Sequence, residues 1–107
     1  MISDSQEKCP LQKMLESIGG KWKLLIIANL KEQNVVRFSA LSRLLPGISQ
    51  KVLTAQLKEL EADGFVHREV YPEVPPRVEY SLTATGKSLY PVLDSMADWA
   101  QKNLYSE

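Results

Sequence analysis

The feature that most constrains the fold of this chain is a change of period at Gly64. Before it, the stretch "ISQKVLTAQLKELEADG" (48–64) places Leu53, Leu57 and Leu60 on one stripe at helical spacing. After it, "FVHREVY" and "RVEYSL" alternate: Val66, Arg68 and Val70 point one way, as do Val78, Tyr80 and Leu82. The segment between them, "PEVPP", carries three prolines, which lack the N–H that a strand ladder needs. Two strands with a stiff, partly extended tip are therefore expected. A helix that runs directly into such a hairpin has the order of a winged helix, whose wing lies along a phosphate backbone or a minor groove. A hairpin that merely covers the core is the alternative reading of the same pattern.

The residues before the hairpin supply the rest of that architecture. Ser49 is a good N-cap for the 48–64 helix, Ile48 can staple onto Leu53, and Gly64 is a natural stop. Lys51, Ala55 and Lys58 then project opposite the leucine stripe, with Thr54 on its shoulder. Just upstream, Ser39 can cap a short helix over "ALSRLL" that Pro46-Gly47 ends, so that "PGI" joins two helices as in a helix-turn-helix. Farther upstream, Pro10 opens a helix carrying Leu11, Met14, Leu15 and Ile18 as far as Gly19-Gly20. A second run, from about Lys21 to Leu30, turns Trp22, Leu25, Ile26 and Leu30 inward, and Val35-Val36 can form a short strand. The expected fold class is mainly α with a small β-hairpin wing (α+β), a winged helix-turn-helix.

The C-terminal segment carries more apolar helix than one small core requires. From Thr83 as a cap, Leu89, Val92, Leu93, Met96, Trp99, Ala100 and Leu104 follow one face, and Pro91 is expected to bend the helix. Such a surplus suggests a dimer interface shared with the first helix, with Leu11, Leu89, Leu93, Met96, Trp99 and Leu104 as its residues. Packing of the same stripe within one monomer is the competing reading.

Thirteen lysines and arginines against thirteen acids give no net charge, which at first argues against a nucleic-acid partner. The distribution is more informative. Residues 21–68 hold eight bases and four acids, whereas the segments before and after are net acidic. A basic middle with acidic flanks is compatible with DNA even at zero sum. One cysteine and one histidine are too few for a structural zinc site, and no metal or cofactor is expected. No apolar stretch is long enough to span a bilayer, and "MISDSQEKCP" does not read as a signal peptide, so a cytoplasmic protein without membrane contact is expected. Cys9 and His67 are the only candidates for a nucleophile-base pair, and no glycine-rich phosphate loop is present, so an enzyme is not expected.

Taken in order, "CPLQKMLESIGGKWKLLIIANL", "RFSALSRLLPGISQKVLTAQLKELEADGFVHREVYPEVPPRVEYSLTATG" and "SLYPVLDSMADWA" resemble the HxlR family of bacterial winged helix-turn-helix transcription regulators. The resemblance runs from about Cys9 to Leu104 and leaves 1–8 as an N-terminal tail before a domain at 9–107, flanked by dimerisation helices. It implies a homodimer on palindromic or pseudo-palindromic double-stranded operator DNA. On that reading the recognition helix contacts DNA through Ser49, Gln50, Lys51, Thr54 and Lys58, while Lys21, Arg37, Ser39 and Arg77 are candidates for backbone and wing contacts.

Cys9 stands directly before Pro10, where the positive field of a helix N-terminus and nearby Lys8 and Lys13 favour negative charge on sulfur. Some proteins of this type sense electrophiles or oxidants through a cysteine here, so Cys9 is a candidate redox sensor; a small packed side chain is the plainer alternative. A winged-helix protein-interaction module without DNA binding is the rival function. It predicts acids or bulky apolar groups where Lys51, Thr54 and Lys58 stand.

Overall fold

In the computed structural model, residues 9–105 are described; the expected N-terminal tail, 1–8, lies outside them. Along the chain run α1 (Pro10–Ile18), α2 (Lys23–Gln33), β1 (Val35–Arg37), α3 (Phe38–Leu44), α4 (Gln50–Ala62), β2 (Val66–Tyr71), β3 (Arg77–Leu82), α5 (Ala84–Lys87) and α6 (Tyr90–Asn103). The expected hairpin of β2 and β3 is present, with Val66 opposite Leu82 and Val70 opposite Val78. It is not alone, because β1 adds antiparallel to the other edge of β3, Val36 facing Tyr80, to make a sheet of order β1-β3-β2. Pairing on both edges anchors the wing strand to the helical body, which a free hairpin of two strands would not achieve.

The core lies where α2, α3 and α4 meet the sheet. Ile26, Ile27 and Leu30 of α2, Leu41 of α3, Leu53, Leu57 and Leu60 of α4, and Val36, Val66, Tyr80 and Leu82 of the sheet form one buried cluster. Each fully buried leucine or isoleucine contributes about 2 kcal/mol of transfer free energy. Gly47, at φ +91°, supplies the left-handed residue in the turn between α3 and α4, and Gly64, at φ +85°, stops α4 as its position suggests.

Four expectations need correction. Helix α2 starts at Lys23, and its buried positions are Lys23, Ile26, Ile27 and Leu30, a regular i, i+3, i+4, i+7 stripe. Leu25 lies off that stripe and is 46% exposed, while Lys23 is only 7% exposed. Ser39 does not cap α3: β1 runs straight into the helix, so Arg37, with extended backbone, takes the cap position and Ser39 falls in the first turn. Pro91 does not bend one long helix. Thr83 caps the short α5 by accepting the Gly86 N–H, and Pro91 then sits in the first turn of α6, where a missing N–H costs nothing. On β2, Arg68 and Val70 are exposed although Val66 is buried, since the strand runs outward past the core toward the tip.

Helix α6 is joined to the body through its beginning. Leu89, Tyr90 and Leu93 pack against the core, Lys31 of α2 lies 3.5 Å from Asp94, and its ammonium sits 5.2 Å from the centroid of the Tyr90 ring. Beyond that point α6 holds no buried residue. Met96, Trp99 and Leu104 face outward, as do Leu11 and Leu15 of α1.

Candidate nucleic-acid interface

Helix α4 owes its start to Ser49, whose hydroxyl accepts the Val52 N–H at 3.1 Å and satisfies one of the free donors of the first turn. Because Leu53, Leu57 and Leu60 are buried, the opposite face is fixed outward. Ser49, Gln50, Lys51, Thr54 and Lys58 are all exposed along it. One of the acids of α4 is held at the back. Glu59 forms an ion pair of 2.6 Å with Lys23, and the Lys23 ammonium also donates to the Ser17 carbonyl at 3.2 Å. One nearly buried cation thus ties the end of α1, the start of α2 and the back of α4 together.

The sequence pattern gave no hint of that tie. A lysine beside Trp22 reads as a surface charge, and only its place on the buried stripe of α2 could have signalled otherwise.

Between α4, the start of α3 and the wing lies an open cleft of about 810 Å³. It gathers five residues singled out from the sequence: Thr54 and Lys58 of α4, Arg37 and Ser39 at the start of α3, and Arg77 of β3. Lys21 does not line it; its ammonium lies 4.8 Å from the centroid of the Trp22 ring. Ser49, Gln50 and Lys51 lie ahead of the cleft on the leading turn of α4. Arg68 of β2 also lines the cleft and is exposed, a cation that the sequence reading left out of its contact set.

Arg77 differs from the other cations. Its guanidinium makes bonds of 2.8 Å to both Glu73 and Glu79 and stacks 4.0 Å from the centroid of the Tyr71 ring. Its Nε is buried without a hydrogen-bond partner. Two carboxylates largely neutralise this arginine, so it stiffens the wing as much as it charges it. No ion pair engages Arg37, Lys51, Lys58 or Arg68 among the described residues. His67, on the exposed side of β2, lies 2.8 Å from Glu69.

At the other end of the molecule, Cys9 is the N-cap of α1. Its sulfur accepts the Gln12 N–H at 3.4 Å and is partly exposed. Among the described residues no helix is long and apolar enough to cross a membrane.

The HxlR-like helix-turn-helix family model matches residues 17–107. The chain is 50% identical over 100 residues to YdeP of Bacillus subtilis strain 168, an uncharacterised HTH-type transcriptional regulator, covering 94% of this chain and 77% of YdeP. Among solved structures, the redox regulator HypR in its oxidised form superposes with a TM-score of 0.82 at 48% identity, covering 89% of this chain and 97% of HypR. The reduced form of the transcriptional regulator YodB from B. subtilis superposes with a TM-score of 0.77 at 38% identity, covering 91% of this chain and 95% of YodB. With a winged helix built around α4 and a family match over most of its length, the chain belongs to the HxlR-like helix-turn-helix family of transcriptional regulators.

Proposed function

We propose that this chain binds palindromic or pseudo-palindromic operator DNA as a homodimer and regulates transcription from it. The observation that carries the reading is the outward face of α4, with Ser49, Gln50, Lys51, Thr54 and Lys58 exposed and the cations among them free of acidic partners. The leading end of α4 enters a major groove, with the early residues nearest base edges and Lys58 nearer phosphate. Lys21, Arg37, Ser39 and Arg77 serve as backbone and wing contacts that set register. Glu59 is turned back toward Lys23, away from phosphate, and the uneven charge along the chain gives the same polarity.

The dimer is supported by the uncovered apolar residues at the two ends of the domain. Leu11 of α1 and Met96, Trp99 and Leu104 at the far end of α6 are exposed, more large apolar surface than a monomer in water has reason to keep. Leu89 and Leu93, half-buried against the core, form the inner border of that interface. Two copies joined there present two α4 helices to grooves roughly 34 Å apart, one turn of the duplex. Selection of bound genomic fragments by the purified protein, followed by footprinting, tests the whole reading: two protected half-sites about one helical turn apart are expected. No enriched palindrome means that the winged helix serves protein interaction instead. More locally, Lys51→Ala should weaken operator binding several-fold and lower the salt slope by about one. Unchanged binding across a salt titration removes Lys51 from the contact set.

A second reading, that Cys9 senses electrophiles or oxidants, is supported by the Sγ contact with the first turn of α1 and by the likeness to HypR, a redox regulator. With a quinone, sulfur forms a C–S bond and its proton ends on a ring oxygen, giving the hydroquinone thioether. Operator binding before and after quinone treatment, in wild type and Cys9→Ser, decides it. An identical response in both proteins sinks the reading.

A further inference from the structure

The cleft between α4, α3 and the wing is built differently from a surface that meets only a phosphate backbone. Backbone contacts need donors and cations presented outward. Here the walls include Phe38, the edge of the largely buried Tyr80 and the apolar tip residues Val74, Pro75 and Pro76. At about 810 Å³ its size is that of a small-molecule site, which typically spans roughly 300–1,000 Å³ with a few convergent polar groups in an apolar lining. The convergent groups are Arg37, Lys58 and Arg68, one each from the start of α3, from α4 and from β2. None of the three is engaged in an ion pair among the described residues. Of the acids in the lining, Glu73 is held by Arg77, which leaves Glu61 facing three cations.

We propose that this cleft binds a small aromatic carboxylate, and that its occupation opposes DNA binding. The ring system packs on Phe38, Tyr80 and the proline wall, while the carboxylate meets the guanidinium of Arg37 or Arg68 and the ammonium of Lys58. Each half of that chemistry is needed. An inorganic anion leaves the apolar walls wet, and a neutral aromatic leaves the cations without a partner. The Arg77 network with Glu73, Glu79 and Tyr71 holds the wing wall in place before the ligand arrives, which reduces the ordering that binding must impose. The opposition to DNA rests on the operator-binding reading above, because Thr54 and Lys58 line the cleft and also belong to the DNA-facing side of α4. A ligand seated there and a duplex compete for the same atoms, so each lowers the affinity of the other by the same factor.

Titration of the full chain with 2-naphthoate, followed by amide chemical shifts, tests the site without DNA. Saturable shifts at Phe38, Thr54, Arg68, Val78 and Tyr80 are expected, with binding of neutral 2-naphthamide roughly tenfold weaker or more. Arg68→Gln, at an exposed position without an ion pair, should weaken naphthoate roughly fivefold or more while shifts elsewhere stay in place. Shifts confined to the exposed face of α1 and α6, equal binding of the amide, or no saturable shifts overturn the proposal. In a parallel titration against a labelled operator duplex, naphthoate should raise the apparent Kd for DNA in wild type and do so much less in Arg68→Gln. Operator binding without cleft shifts defeats this inference alone; cleft shifts in a chain that binds no DNA defeat the operator reading alone.

Discussion

Helices α4 and α6 carry apolar stripes of similar spacing, and the protein treats them in opposite ways. Leu53, Leu57 and Leu60 of α4 are at most 1% exposed, whereas α6 has no buried residue and its Trp99 is 59% exposed. Periodicity reports which face of a helix is apolar. It does not report what covers that face. For α4 the cover is α2 and the sheet within the same chain, and for α6 the described residues supply a cover only at its first turn, through Leu89, Tyr90 and Leu93. The difference separates a stripe that folds the monomer from one that the monomer leaves open.

The sharpest way to break this contrast is to truncate each stripe. Leu57→Ala removes a fully buried side chain between α4 and its neighbours, and should cost about 2–5 kcal/mol of folding stability in a denaturant titration. A loss below about 1 kcal/mol would mean that α4 is not packed as described. Trp99→Glu should leave the monomer folded but weaken self-association by about 2–3 kcal/mol, read by sedimentation at several concentrations. An unchanged mass distribution would return the α6 stripe to some other use.

Two smaller effects test how α4 is held. Lys23→Met removes the cation that bonds Ser17 and Glu59, and should destabilise by about 1–2 kcal/mol, because Glu59 is half-exposed and can be solvated when left alone. If the ion pair is what fixes α4 against α2, Glu59→Gln should shift the same amide resonances of α4 and by a smaller amount. Ser49→Ala removes the N-cap and should cost about 1 kcal/mol, with faster amide exchange confined to the first turn of α4. Uniform exchange along the helix would show that the cap does not matter locally.

Much of the candidate interface is legible in the residues themselves. The Ser49 cap, the Gly64 stop, the leucine stripe and the outward Lys51, Thr54 and Lys58 follow from local rules that reach no farther than one helix turn. The hairpin follows from alternation and from prolines that cannot extend a ladder. The pairing of β1 and the burial of Lys23 depend on partners distant in sequence. β1 joins β3 across the whole helix-turn-helix, and Lys23 is buried because Ser17 and Glu59 converge on it. Arg77, a candidate wing contact from the sequence, is held by two carboxylates close in sequence, Glu73 and Glu79, a tie that strand alternation does not report. Pro91 and Arg37 are different cases, because local rules for proline in a first turn and for a strand running into a helix account for both positions.

The amino-acid sequence by itself determined the helices, the wing and their order, since backbone propensity, capping and side-chain period act over a few residues and need no knowledge of the rest of the chain. Only the tertiary structure decided which apolar stripe becomes core and which stays open, and which cations remain free to meet a ligand. Burial and ion pairing depend on what comes within about 4 Å in space, and that is set by the packing of α2, α4 and the sheet rather than by any one segment.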